Sequence, residues 1–496
     1  MNSQTARRPD SKRPTRSAKP NKYTKQTAHV EARRDGKPLI FGWGGHLSRS
    51  EKNALQRRAI WSTIVLFALL IVVVLVGFWV NINIITPAQP ITTVNGHGIP
   101  QANFRKLLAV KAQVELNKIQ GQGGLFSQRD ALNKQVAAKQ TAIDTTTKQI
   151  DTVNAQIKAL PAGNSTQRST LQTQLASLKT QLATTQSQQN TLSAQYQDML
   201  KNTIPFEQQL YTQPQQTNDS ATWLQDDEII REWLTTQNSN INAQINPSPT
   251  AIDNAVKDFA AHFPQGSNYN KFLSTDNVSD ADVHAAFELI VRRNNMQTYT
   301  TSLVTSPTYQ VLARGITAST QSDANNLLKQ LKGGADFGKL AKSKSVDNAT
   351  NSKGGDFGWL ARGQYIQTYA TNSSGTVENW IFDPARKLNE LSPVISENGT
   401  YHIIQILGID PSRAVDSATL KSLKDNALNN WLVAKKANAT ITPVDQNKIA
   451  DPANIPSGLP SSAPGQTVPG AGGGLPGAPG GGVPGTGDVA GGIAIA

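Results

Sequence analysis

Three stretches decide the fold. Tyr309 to Thr320 reads YQVLARGITAST, Ser322 to Tyr365 reads SDANNLLKQLKGGADFGKLAKSKSVDNATNSKGGDFGWLARGQY, and Leu388 to Ile409 reads LNELSPVISENGTYHIIQILGI. The first is an apolar run closed by a polar turn, which predicts a strand. The second predicts a helix stopped at Gly333-Gly334, a further helix over ADFGKLAK and a glycine-rich loop at GGDFGW. The third predicts strand structure from LSPV and a last strand through YHII.

Working outward toward the N-terminus, apolar spacing predicts amphipathic helices near 279–304 and 249–263, and another carrying Trp223-Leu224, Ile229-Ile230 and Trp233-Leu234. Between Arg129 and Leu200 the apolar positions climb a three-four ladder. One arm holds Leu132, Val136, Ile143, Ile150, Val153, Ile157 and Leu160; the other holds Leu171, Leu175, Leu178, Leu182, Leu192, Tyr196 and Met199. Pro161-Ala162-Gly163-Asn164 breaks them, so residues 129–200 predict an inserted antiparallel coiled-coil hairpin. Its seam includes Lys139, Thr185 and Gln189 and is therefore weak. Further upstream, Ile91 to Ile99 reads as a strand, an Asn-Gly turn and a return, followed by a helix from Gln101 toward Ile119.

The 496 residues carry a net charge of +13, a value that on its own suggests nucleic acid. Fifteen Lys/Arg against four acids place +11 of it in residues 1–58, leaving only +2 for the rest. Ala59 to Val80 follows as 22 residues without a charge, with Trp61 and Trp79 near its ends. A helix of that length spans a hydrocarbon core of about 30 Å. Residues 59–81 therefore predict a membrane signal anchor. Arg57 and Arg58 abut it, and the next cation is Arg105, so the charge rule keeps 1–58 cytosolic as a disordered basic tail and exports the remainder. No nucleic-acid partner is expected. At the other end, residues 451–496 hold 14 Gly and 8 Pro with no Lys or Arg, which predicts a disordered tail preceded by a helix and extension over 411–450. There is no cysteine, which excludes thiol catalysis, disulfides and thiolate-bound zinc, and the histidines lack metal-ligand spacing, so no metal or cofactor is expected.

The four ordered blocks between 308 and 410 resemble a parvulin-type peptidyl-prolyl isomerase (a rotamase, or PpiC-type, domain), and the VNG turn with its helices resembles the chaperone module of exported SurA- and PrsA-type foldases. The resemblance implies an α+β chain. Its parts are a parvulin domain with a small antiparallel sheet at 308–410, a mainly helical chaperone module at 88–128 plus 201–307, and one transmembrane helix. It also implies isomerisation of X-Pro bonds in unfolded or nascent exported polypeptides. Parvulin sites combine an apolar proline pocket with a small polar cluster. His402 matches the last-strand histidine; Asn348, with Asp347 beside it, stands where the family places Cys or Asp; Phe357, Tyr365 and Tyr369 match the pocket floor, with Phe382 the other pocket candidate. Gly315 replaces the first-strand histidine, so Gly315→His is expected to raise activity and Tyr365→Ala to lower it. The leading reading is a membrane-anchored foldase, with activity expected to be reduced by the loss of the first-strand histidine; the alternatives are a holdase with a degenerate parvulin domain and an envelope tether.

Overall fold

The computed structural model describes residues 48–369 and 374–464, so most of the expected basic tail and most of the Gly/Pro tail lie outside the described residues. The chain divides into two units, Met1–Asn83 and Ile84–Ala496. In the first, helix α1 runs over Arg49–Val80. It starts at Ser48, whose backbone N–H donates to Glu51 Oε2 at 2.8 Å while its hydroxyl accepts the Glu51 N–H. That reciprocal cap sets the helix start ahead of Ala59, so residues 49–58 are helical and not part of a disordered tail. Trp61, Phe67 and Phe78 are each more than 60% exposed, as are apolar side chains around the whole circumference. Among the described residues this is the one helix long and apolar enough to cross a membrane.

The second unit is helical around two small sheets. β1 (Pro90–Val94) and β2 (His97–Pro100) form a hairpin turned by Asn95 and Gly96, both at positive φ. Helix α2 (Gln101–Gln120) follows, then two long helices, α3 (Leu125–Ala159) and α4 (Ser165–Asp198). These two lie antiparallel: Lys139 Nζ donates to Gln188 Oε1 at 2.8 Å, and Arg168 reaches the Leu160 carbonyl near the turn. Burial recurs at alternating steps of four and three residues along both arms, through Ile143, Ile150 and Val153 in α3 and Leu171, Leu175, Leu178 and Leu182 in α4. The seam is shallow, because no α4 residue is fully buried.

Helices α5 (Gln213–Leu234), α6 (Pro249–Ala261) and α7 (Asp280–Leu303) complete the module. Helix α2 is buried on two sides. Phe104, Leu108 and Ala112 join Ile91, Val94, Ile229, Ile230 and Met296, while Leu107 and Val110 join a second core built on Phe259, Phe263, Phe272 and Phe287. A helix apolar on opposite faces has to lie at the centre.

The parvulin-like region interrupts this module. β3 (Thr308–Ala318), β4 (Asp356–Ala361), β5 (Ile395–Glu397) and β6 (Thr400–Arg413) form one antiparallel sheet in the order β4-β3-β6-β5. Helices α8 (Gln321–Lys332) and α9 (Phe337–Lys344) cover one face, packing Leu327, Leu331, Phe337 and Ala341 on Ile316, Ala318 and Ile403. The opposite face holds α10 (Gln364–Tyr369) and α11 (Thr376–Ile381), with Tyr365, Val377 and Ile381 on Val311, Ala313, Ile404 and Ile406. Ile403 and Ile404 point to opposite faces, as the period of two requires.

After the sheet the chain returns to the module. Helices α12 (Ser417–Asp425) and α13 (Ala427–Lys436) lead to a segment that lies along β1: Asn95 N–H donates to the Thr440 carbonyl at 2.8 Å, Thr442 N–H to Thr93 at 3.0 Å and Asp445 N–H to Ile91 at 2.8 Å. Leu428, Leu432, Ile449 and Leu459 then enter the same core as Phe104. A disordered tail beginning at 451 is therefore corrected for 451–464: Leu459 is 8% exposed, and the Pro460 carbonyl accepts the Gln213 N–H at 2.7 Å. The apolar side chains of this stretch anchor it despite its prolines and glycines.

Candidate active site

Antiparallel register between β3 and β6 sets Thr317 opposite His402, and β5 sets Ile395 on its other side. The imidazole is half-buried. Its Nδ1 lies 3.2 Å from Thr317 Oγ1 and its Nε2 2.9 Å from Thr400 Oγ1. Because a hydroxyl donates or accepts, both nitrogens are satisfied in either neutral tautomer. Burial pulls the His402 pKa below its ordinary value, against the opposing pull of the Glu397 and Asp347 charges. The ring is therefore neutral at pH 7.

The chain from Ser345 to Asp347 runs beside Thr317. Val346 N–H donates to the Thr317 carbonyl at 2.9 Å, and Thr317 N–H donates to Ser345 Oγ at 3.1 Å. Asp347 is half-buried; its carboxylate accepts the Thr350 hydroxyl and, at 2.9 Å, the Ala349 N–H. Asn348 is exposed, and its side-chain oxygen faces only Asn351 at 3.5 Å. The charge of Asp347 acts on the imidazole, whereas Asn348 lies at the surface. Thr317 and Thr400 were not singled out from sequence, although the two-residue period of β6 sets Thr400 on the His402 face.

Gly315 sits where a strand has no room for a side chain. Its N–H donates to the Gly355 carbonyl at 2.8 Å. A Cβ at Gly315 would lie 2.4 Å from Phe357 Cζ and 2.8 Å from Cε2. Phe357 therefore occupies the space that a first-strand imidazole would need, and the expectation that Gly315→His alone raises activity is corrected: the new side chain meets the ring. Gly355, at φ +83°, is equally constrained, since its Cβ would fall 2.2 Å from the Gly315 carbonyl oxygen.

The Phe357 ring leads the aromatic group. Its centroid lies 5.3 Å from Tyr365 and 5.0 Å from Tyr369, and Tyr365 and Tyr369 are 6.1 Å apart. Tyr365 is 2% exposed and Phe357 7% exposed, so Tyr365 is floor and not surface. Tyr369 is half-buried, with its hydroxyl donating to the Phe357 carbonyl at 3.0 Å. Phe382 stands apart from the three rings: it is buried against Tyr309, with the Arg362 guanidinium 5.0 Å over its face. The structure groups the rings of Phe357, Tyr365 and Tyr369, sets His402 between Thr317 and Thr400, and places the Asp347 charge where it acts on both His402 and Tyr369, while Asn348 is exposed and Phe382 packs on Tyr309.

A second buried carboxyl supports the floor. Glu378 on α11 is fully buried and accepts the Gly363 N–H at the turn that starts α10. Burial pushes its pKa up to about 7, while the backbone bonds from Gly363 and Ile366 and the Arg362 charge oppose the rise. Helix α10 carries Tyr365 and Tyr369, so this carboxyl holds the segment that presents them.

Residues 312–409 match the family model of the PPIC-type PPIASE domain. The foldase protein PrsA of Exiguobacterium sibiricum is 26% identical over 167 residues, covering 31% of this chain and 51% of that protein. A parvulin-like PPIase of Rickettsia bellii is 31% identical over 126 residues, covering 25% of this chain and 42% of its own length. The chaperone SurA of Legionella pneumophila (strain Lens) is 27% identical over 131 residues, covering 25% and 28%. The matches thus span about half or less of these relatives. The sheet order, the GGDFGW loop and the family match agree, and residues 312–409 are a PPIC-type peptidyl-prolyl isomerase domain of the parvulin kind, set in a chain similar to the PrsA and SurA foldases.

Proposed function

We propose that the protein is a membrane-anchored foldase that isomerises X-Pro bonds of exported polypeptides outside the cytosol. The observation that carries the isomerase reading is His402 held by two threonine hydroxyls, in a domain that also groups the rings of Phe357, Tyr365 and Tyr369. Prolyl isomerisation needs no nucleophile. It is slow because amide conjugation must be broken, and a site that binds the twisted amide better than either planar form is sufficient. The half-exposed Tyr369 and the edge of Phe357 receive the proline ring over the closed floor of Tyr365. The His402–Thr317–Thr400 group, with Asp347, supplies dipoles fixed in advance toward the amide. Asn348 and Phe382 take no part in this arrangement.

Anchoring rests on α1, and orientation on Arg57 and Arg58 just before its apolar run. A reporter that needs export should work when fused after Gly408, and one that needs the cytosol should work when fused before Ala59; the reverse pattern would overturn the orientation. The isomerase reading is tested on the full chain in lipid nanodiscs with a protease-coupled Ala-Pro tetrapeptide assay, in which catalysis above the thermal rate is expected. A folded chain with no catalysis would leave a second reading, a holdase. One observation favours it: Phe357 fills the first-strand histidine site, which shortens the polar cluster.

A further inference from the structure

Helix α10 is six residues long, too short to hold its place by itself, so its position comes from what it touches. At about 100° per residue, Tyr365 and Tyr369 share one face and Gln367 lies on the other. On the tyrosine side the sheet core fixes the helix. On the Gln367 side stands α12, where the Ser422 hydroxyl donates to Gln367 Oε1 at 2.9 Å. Helix α11 is held in the same manner by α13, with Asn379 Nδ2 donating to the Ala434 carbonyl at 2.8 Å. Two glycines at positive φ let α13 come close: a Cβ at Gly363 would fall 2.5 Å from Asn430 Nδ2, and one at Gly375 2.7 Å from the Val433 carbonyl oxygen. Helices α12 and α13 lie outside the family match over 312–409. Leu428 and Leu432 of α13 belong to the module core with Phe104, and Trp431 packs edge-on against Trp233 at 5.1 Å.

We infer that α12 and α13 complete the isomerising pocket from outside the parvulin domain, with Ser422 and Asn379 as positioning residues that act through α10 and α11 on the ring of Tyr369. The inference rests on the isomerase reading and extends it. Tyr369 is the most exposed of the three rings, and its hydroxyl reaches the Phe357 carbonyl only while α10 keeps its place. A pocket that orients a proline ring loses rate when its wall shifts by about 1 Å. The sheet itself does not need these contacts, because the cores of sheet and module are separate sets of side chains. A cleft of about 340 Å³ bordered by Gly363, Asn379 and Ala434 further limits the joint to discrete contacts. The stability of the sheet and the placement of the pocket are therefore separable, and the module sets the second without the first. A shift of α13 within the module, where Lys436 pairs with the buried Asp226, reaches Tyr369 through the same contacts.

The test uses the full chain in lipid nanodiscs with the Ala-Pro tetrapeptide, together with isotope-labelled tyrosine rings read by NMR, the Tyr369 signal being assigned through Tyr369→Phe. Ser422→Ala and Asn379→Ala each remove one hydrogen bond, and each should lower kcat/KM about fivefold, the equivalent of about 1 kcal/mol. Both should move the Tyr369 signal while hydrogen-exchange protection in β3 and β6 stays as in the wild type, a split that general loss of folding would not give. Ser422→Thr keeps the hydroxyl and should restore both the rate and the signal. A kcat/KM unchanged in both alanine variants, or a Tyr369 signal unmoved in both, would overturn the inference. No catalysis by the wild type would instead strike the isomerase reading, and the Tyr369 signal would still decide whether α12 and α13 place the ring.

Discussion

The parvulin sheet closes from one uninterrupted stretch, whereas the helical module closes from two stretches that the parvulin domain separates. Val311, Tyr365, Ile381 and Ile404 meet within about a hundred residues of chain, while Ile91 and Phe104 wait for Leu428, Ile449 and Leu459. Asp226 binds Arg293 at 2.6 Å and also pairs with Lys436, so a buried carboxylate joins the two halves of the module. The contrast teaches that one region depends on local order and the other on the return of the chain. The two regions should fail independently.

The largest expected effect follows from cutting that return. A chain stopped after Asn438 loses Ile441, Ile449, Leu459 and the hydrogen bonds to β1. Each fully buried large apolar side chain contributes about 1.5–3 kcal/mol, so the module should lose on the order of 5 kcal/mol. Hydrogen exchange should then show lost protection in β1 and α2 with protection retained in β3 and β6. Equal loss in both regions would break the comparison.

Within the parvulin domain, Gly315→His should destabilise by about 1–3 kcal/mol and lower isomerase activity, because its Cβ would meet Phe357. Adding Phe357→Leu should recover much of both losses, a coupling measurable by urea unfolding and a double-mutant cycle. Additive losses would show that the two positions do not share a space.

Glu378 gives a pH signature. Its folded pKa of about 7 lies above the ordinary glutamate value of 4.5, so the folded state holds the proton more tightly. Its contribution is fully present below about pH 4.5 and is lost as pH rises through about 7, on the order of 3 kcal/mol in all. Glu378→Gln should flatten this part of the stability profile without reversing it. An unchanged slope between pH 4.5 and 7 would remove Glu378 from the account.

The smallest effect is expected from the hairpin. Deleting Arg129–Leu200 and joining the ends should leave the rest folded, with Tm moved by no more than about 2–4 °C, the equivalent of about 1 kcal/mol in a region of this size. The arms bury Ile143, Ile150 and Val153 mainly against each other. Global unfolding of the deletion would show that the arms belong to the module core.

How far sequence carried the account follows the same division. The parvulin strands were legible because GGDFGW and YHII mark turns and strand periods within a short span. The Asn95-Gly96 turn and the arms of 129–200 were legible for the same local reason. The closure by residues 427–463 was not, since Leu459 among prolines and glycines carries no local sign of its partner Phe104. Gly315 and Phe357 were each legible as departures from a family motif, yet only the direction of the missing Cβ couples them. Asp347 and Asn348 are adjacent in sequence, and only the turn makes one half-buried and the other exposed.

The central claim is that His402 and the rings beside it form a working prolyl-isomerising site. NMR exchange spectroscopy of an Ala-Pro tetrapeptide with the full chain in nanodiscs tests it most directly. The account predicts exchange cross-peaks between cis and trans resonances above the thermal background, weakened about tenfold or more by Tyr369→Ala and also reduced by His402→Ala, with activity that persists as pH falls through 6.5 because burial keeps the imidazole neutral. Wild-type exchange no faster than the peptide alone, or exchange indifferent to both substitutions, would contradict it.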